Sequence, residues 1–199
     1  MSNLQDKRRI GAIKAALGRR NIVVVGMMGC GKSAVGRLLG DELDLPYFDS
    51  DTEIIQAAGL SIAEIFSRFG EDYFRSGERR VVARLLAEGP SVLSLGGGAF
   101  LSAETRELIK LYGVSIWLMA DVELLYSRIM RRPRSRPLLD TADPKATLGA
   151  LLEMRAPTYA LADIHVASSS VSKNQTGEAV LKALETWLAQ NQTETGAVT

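Results

Sequence analysis

The chain has 199 residues, 46% of them hydrophobic and 24% charged, with one cysteine and a formal net charge of +1. That size and balance predict one globular domain with a substantial core, and the near-neutral charge excludes a field-driven binder of nucleic acid or membrane surfaces. The lone cysteine excludes an internal disulfide, no apolar run approaches the ~20 residues of a membrane span, and the N-terminal segment lacks a signal-peptide core, so a reducing, cytoplasmic setting is expected.

Residues 1–20 form an extension before the main domain, which is expected over residues 21–190; residues 191–199 are a polar tail. In the extension Leu4, Ile10, Ile13 and Leu17 recur at near-helical spacing among basic residues, which predicts a short helix packed on the domain. The first strand is residues 22–26, and a helix follows over about residues 32–43. Residues 46–49 read as a second strand. Ser50 and Glu53 match a capping box that opens a helix stopped by Gly59, and Ser61 and Glu64 repeat the pattern for a helix to Gly70. A long helical stretch covers residues 71–88 and stops at Gly89-Pro90. The strand 92–95 runs into Gly96-Gly97-Gly98, and Ser102 caps a helix ending near Tyr112. Residues 114–119 form the next strand, and Asp121 caps a helix expected to end at Pro133. An arginine- and proline-rich loop covers residues 134–143, and Pro144 starts a helix to about Met154. The last strand is residues 164–166 and the last helix residues 178–188; His165, on that strand, reads as structural. Strands alternate with helices, and the strands are apolar runs rather than alternating patterns. The fold class is therefore α/β: three layers, with a five-stranded parallel sheet between helices. In such sheets ligands bind beyond the C-terminal strand ends.

After the first strand stands GMMGCGKS, residues 26–33, which is G-x-x-x-x-G-K-S between a strand and a helix. Glycines let backbone N–H groups turn inward into an anion nest, and the helix aims the positive end of its dipole there. Gly29, Cys30, Gly31, Lys32, Ser33 and Ala34 are the expected nucleotide-binding residues, with Lys32 reaching the β- and γ-phosphates and Ser33 a Mg²⁺ ligand. After the second strand come Asp49-Ser50-Asp51: one carboxylate for Mg²⁺ and one to orient an acceptor hydroxyl, set against simple helix-start acids. Gly96-Gly97-Gly98 permits close approach of a ligand to bare backbone, or is a tight turn only. Arg75 and Glu78, three apart, read by themselves as a surface ion pair, and Arg155 is unremarkable alone. Arg128, Arg131, Arg132, Arg134 and Arg136 crowd one stretch, either a solvated basic face or a lid that carries an arginine onto the γ-phosphate. Cys30, near a helix N-terminus and Lys32, is expected to be an acidified thiol that alkylates readily when no nucleotide is bound.

Taken together, five ordered blocks resemble the shikimate kinase family, small P-loop kinases related in fold to nucleoside monophosphate kinases. The blocks are the phosphate loop; Phe48-Asp49-Ser50-Asp51; Phe74-Arg75-x-x-Glu78; the glycine triplet; and Arg136-Pro137-Leu138-Leu139 followed by Arg155-x-Pro157-x-Tyr159. The resemblance implies ATP-dependent phosphorylation of the shikimate 3-hydroxyl, on the route to chorismate and the aromatic amino acids. It implies Asp51 as candidate base and binder of substrate hydroxyls, Asp49 with Ser33 at Mg²⁺, and Arg75 and Arg155 on the shikimate carboxylate. Gly97 and Gly98 would touch substrate, Arg136 would be the lid arginine within about residues 132–143, and Arg132 would neighbour the adenine. Family members are monomeric and cytoplasmic, which is the expectation here, with ATP and shikimate as partners and no nucleic acid or membrane. The alternatives are another small-molecule kinase of this fold, such as a gluconate kinase, and a non-catalytic nucleotide-binding module.

Overall fold

The structure, a computed structural model, describes residues 4–131, 137–168 and 172–195. Five strands form one sheet: β1 (Asn21–Val25), β2 (Tyr47–Asp49), β3 (Val92–Ser94), β4 (Gly113–Met119) and β5 (Ile164–Ala167). Their order is β2-β3-β1-β4-β5, and every pairing is parallel. The register sets Val24 opposite Ser94 on one side and Ile116 on the other, so β1, which feeds the phosphate loop, is central. Its five residues are all buried, which is why the sequence shows an unbroken apolar run there.

The helices are α1 (Leu4–Leu17), α2 (Lys32–Leu43), α3 (Ser50–Ala58), α4 (Ile62–Glu88), α5 (Ala103–Tyr112), α6 (Val122–Met130), α7 (Pro144–Tyr159) and α8 (Lys173–Thr195). Helices α2 and α8 pack on each other and the sheet, with α1 against both; α4 and α5 pack together with α5 against β4. Helix α1 sends Ile13 and Leu17 into the core and clamps α8 through Arg9, whose guanidinium donates to Glu178 at 2.6 Å and Glu185 at 2.9 Å. Within α4 the expected break at Gly70 is present as a left-handed φ of 81°, so two helical pieces meet at one residue that only glycine fills without strain.

Several boundaries differ from expectation, the largest being α8, which runs over Lys173–Thr195 rather than 178–188 and so takes in part of the expected polar tail. Helix α6 ends at Met130 rather than Pro133, with Arg131 as its C-cap. Helix α7 runs past Met154 through Pro157 to Tyr159; the proline forfeits one backbone bond, but burial of Arg155 and Tyr159 holds the last turn in place. The cap of α3 is Asp49, not Ser50: the Asp49 carboxylate accepts from the Asp51 N–H at 3.2 Å. The Ser50 hydroxyl instead accepts from the Gly96 N–H at 2.8 Å, and Glu53 pairs with Arg84 at 3.0 Å. The second helix does carry its capping box, Ser61 with Glu64. His165 lies on β5 with its Nε2 at 3.1 Å from the carbonyls of Ala160 and Ala162 and its ring edge-on to Trp117, a packing role.

At the end of the sheet away from the phosphate loop, the buried Asn21 amide donates to the carbonyls of Leu86 and Tyr112 at 2.8 and 2.9 Å. Its oxygen accepts from the Ser91 hydroxyl at 2.7 Å. One side chain thus ties the ends of α4 and α5 to the starts of β1 and β3. Asn21→Ala should cost about 2–4 kcal/mol in urea denaturation, because it leaves two carbonyls and a hydroxyl without their buried partner.

Candidate functional site

The phosphate loop is built on three glycines with positive φ: Gly26 at 135°, Gly29 at 83° and Gly31 at 107°. At Gly26 a Cβ would stand 2.8 Å from the Leu118 carbonyl, so the loop can lie on β4 only without a side chain there. Gly31 is the N-cap of α2 and offers no side-chain acceptor, so the N–H groups of Lys32 and Ser33 at the start of the helix carry no side-chain cap. The Lys32 ammonium folds over the loop and donates to the carbonyls of Gly26 at 2.9 Å and Met27 at 3.0 Å. Arg128, on α6, braces the loop from outside by donating to the Cys30 carbonyl at 3.0 Å and the Ser168 hydroxyl at 2.8 Å.

Beside the loop, the Ser33 hydroxyl donates to Asp49 Oδ2 at 3.0 Å, and the Tyr47 hydroxyl donates to the same oxygen at 3.3 Å. Gly36 makes this possible: a Cβ there would sit 2.5 Å from the Tyr47 ring. Asp51, in the first turn of α3, is partly buried, and burial pushes its carboxyl above the usual aspartate range. The Asp49 charge pushes the same way, while Lys32 and Arg75 oppose. Asp51 is thus a part-buried carboxyl set among an acid, a lysine and an arginine that come from three other elements.

The glycine triplet after β3 explains how they meet. A Cβ at Gly96 would stand 2.5 Å from Asp51 Oδ1, and one at Gly98 would stand 2.6 Å from Arg75 Nη1. At Gly97 the nearest atoms would be Arg155 Nη1 at 3.6 Å and the Tyr159 hydroxyl at 3.9 Å, ordinary contacts that demand no glycine. Three consecutive residues therefore face Asp51, Arg155 and Arg75 in turn, and the middle one has room beside it. Arg75 donates to Glu78 Oε2 at 2.8 Å through Nη1, and through Nε and Nη2 to Glu71 Oε1 at 3.3 and 3.2 Å. The Arg75–Glu78 pair is not the surface pair its spacing suggests: the Glu78 side chain is 4% exposed. Burial raises the Glu78 pKa, and Arg75 draws it back down. Arg155 is itself buried, with Nη1 at 3.4 Å from the Gly97 carbonyl.

The triplet, Asp51, Arg75 and Arg155, scattered in sequence, thus converge beside the phosphate loop with Lys32, Ser33 and Asp49. The expectation for Cys30 is corrected: its side chain is wholly buried under the loop, against the position a Gly26 Cβ would take, so no reagent reaches the thiol without opening the loop. Its N–H is also used internally, donating to the Met27 carbonyl at 3.3 Å. Arg132 and Arg136 lie outside the described residues, as does much of the expected lid. Sequence reasoning passed over Arg128 as one of a run and read Glu78 as half of a surface ion pair; no local signal reveals the Cys30 and Ser168 partners of Arg128 or the burial of Glu78, because both depend on elements distant in the chain. Among the described residues no helix is long and apolar enough to cross a membrane.

A family model described as shikimate kinase matches residues 28–186. The chain is 51% identical over 180 residues to a shikimate kinase of Bradyrhizobium diazoefficiens, covering 90% of this chain and 86% of that one. The structure is similar to that of a shikimate kinase from Acinetobacter baumannii in complex with shikimate, with TM-score 0.79 and 32% identity over 94% of this chain and 99% of that one. A gluconokinase from Sinorhizobium meliloti shares the fold, with TM-score 0.60 and 17% identity over 88% of this chain and 97% of that one.

The glycine geometry separates two kinds of substitution. Gly97→Ala should melt within about 0.5 kcal/mol of the native chain, since its Cβ enters existing space. Gly96→Ala should cost about 1–3 kcal/mol, because its Cβ would clash with the short Asp51 side chain at 2.5 Å and crowd Glu78 Oε1 at 3.3 Å. Gly98→Ala should be the milder of the two, because the tip of Arg75 can swing aside. Denaturant unfolding of the three variants checks this order.

Proposed function

The chain belongs to the shikimate kinase family, and we propose that it transfers the γ-phosphoryl group of ATP to the 3-hydroxyl of shikimate. The observation that carries this reading is the glycine triplet, each residue of which faces one acceptor-site side chain, laid beside a phosphate loop. Another kinase of the fold needs the loop but not two guanidiniums aimed at one small acid.

The phosphates of ATP enter the nest formed by the loop and the α2 N-terminus, and Lys32 exchanges the Gly26 and Met27 carbonyls for phosphate oxygens. Ser33 and Asp49, already in contact at 3.0 Å, fit a hard cation that keeps most of its waters, so they are the residues that would hold Mg²⁺. When bound, Mg²⁺ neutralises charge on the phosphate oxygens. Arg75 and Arg155 take the shikimate carboxylate, for which a planar guanidinium fork is well shaped. Glu78 fixes Arg75 from the buried side, and Glu71, 65% exposed in its side chain, can release it to the ligand. Gly97 and Gly98 offer backbone to the ring. Asp51 accepts the hydrogen bond of the attacking hydroxyl and takes its proton; a carboxyl raised by burial is a stronger base than a solvated one. The lid arginine is assigned to Arg136 and the adenine neighbour to Arg132, from the family pattern. The protein is assigned as a monomer acting in the cytoplasm, and its nucleotide contacts as Gly29 to Ala34.

The deciding experiment is ADP release from Mg·ATP with shikimate or gluconate as acceptor. Shikimate-dependent release is expected; release with gluconate alone would transfer the chain to another substrate, and ATP binding without acceptor-dependent release would make it a binding module. Asp51→Asn should lower kcat by about 10²–10⁴-fold with a smaller change in shikimate KM. Arg155→Ala should instead raise shikimate KM by about 10–100-fold, the worth of hydrogen bonds to a charged partner, while ATP KM holds. Steady-state kinetics in both substrates separates the two effects.

A further inference from the structure

Tyr159 is the residue of the Arg155-x-Pro157-x-Tyr159 block to which the proposed reaction gives no task. It is 1% exposed, at the end of α7, one helical turn beyond Arg155. Its ring lies between Phe100, at 6.5 Å between centroids and 20° between planes, and Trp117, at 6.0 Å and 31°. A phenylalanine would fill that space equally well. The hydroxyl is the part that needs a reason. It donates to the Gly97 carbonyl at 2.5 Å, with Met27 Sδ at 3.9 Å. The same carbonyl is approached by Arg155 Nη1 at only 3.4 Å. One acceptor therefore serves two donors, and the hydroxyl holds it at the shorter distance.

We propose that Tyr159 is a positioning residue for the acceptor site, its hydroxyl occupying the Gly97 carbonyl and so leaving the Arg155 guanidinium to the acceptor's carboxylate. The inference rests on the reading of Arg155 as a carboxylate grip. Without the hydroxyl, the part-buried Gly97 carbonyl loses its closer donor, and the replacement already within reach is Arg155 Nη1. The guanidinium then closes on the glycine turn and must be pulled away before it can bind a ligand. The hydroxyl is fit for the task because burial pushes its pKa up to about 12, so it stays protonated and donates throughout the working range. The helical spacing of Arg155 and Tyr159 puts both donors on the same face of α7, and the buried turn beyond Pro157 is what brings the second one to the carbonyl.

Tyr159→Phe keeps the stacked ring and removes only the donor. The expected result is a shikimate KM raised about 3–10-fold, the range of one neutral hydrogen bond, with ATP KM and kcat held within about twofold. In an Arg155→Ala background the same change should add no further increase, because the hydroxyl acts through the guanidinium. A native shikimate KM in Tyr159→Phe would overturn the proposal, as would an equal rise in ATP KM, or the same rise in the Arg155→Ala background. A lowered melting temperature without a shikimate-specific effect would likewise reduce Tyr159 to core filling. If Arg155→Ala by itself leaves shikimate KM unchanged, the grip reading falls and this inference with it. A rise in Arg155→Ala with none in Tyr159→Phe removes only the role of Tyr159.

Discussion

Bare backbone at residues 96–98 is the constraint on which the site depends. The turn after β3 lies between the phosphate loop, α3, α4 and α7, and it is thin because it carries no side chains. Thinness lets a carboxylate and two guanidiniums from three helices approach one strand end. A Cβ at the first or last glycine would displace the group it faces, whereas one at the middle glycine would meet no crowded protein atom. That asymmetry distinguishes glycines required by the protein's own packing from one at which a Cβ would make only ordinary contacts.

Electrostatics around that turn is a matter of mutual restraint. Asp51 and Glu78 are both raised by burial, and in both cases Arg75 pulls the other way. A buried carboxylate is tolerable only with such partners. The arginines in turn are not wholly taken up by the protein's own carboxylates and carbonyls. Arg75 keeps one buried partner and one exposed one, and Arg155 has a long contact to a carbonyl that a tyrosine holds more closely. Pre-organisation here means partial satisfaction, with each fork aligned and not yet committed.

Much of the architecture was legible because its signals are local. Apolar runs without alternation reported strands buried on both faces, and Gly70, Ser61 with Glu64, and Asp121 marked helix breaks and starts where they occur. Where local signals misled, a distant partner was the cause. Ser50 matched a capping box but turned to the Gly96 N–H, across the sheet. Helix α7 was expected to end near Met154, yet it continues through Pro157 to the buried Tyr159. Cys30 had the neighbours of a reactive thiol, but reactivity also needs access, and burial denies it.

By itself the sequence determined the phosphate loop, because its chemistry resides in contiguous residues whose spacing prescribes the backbone. It also determined the alternation of strands and helices, hence a parallel sheet and the end where ligands bind. Strand order was decided only in three dimensions: β3 inserts between β2 and β1, which sets the glycine triplet beside both the loop and the paired aspartates. The burial of Glu78 and the hold of Tyr159 on Gly97 were decided there too. Contacts between residues tens of positions apart depend on how elements pack, and no local periodicity encodes which distant backbone group a buried hydroxyl or carboxylate will meet.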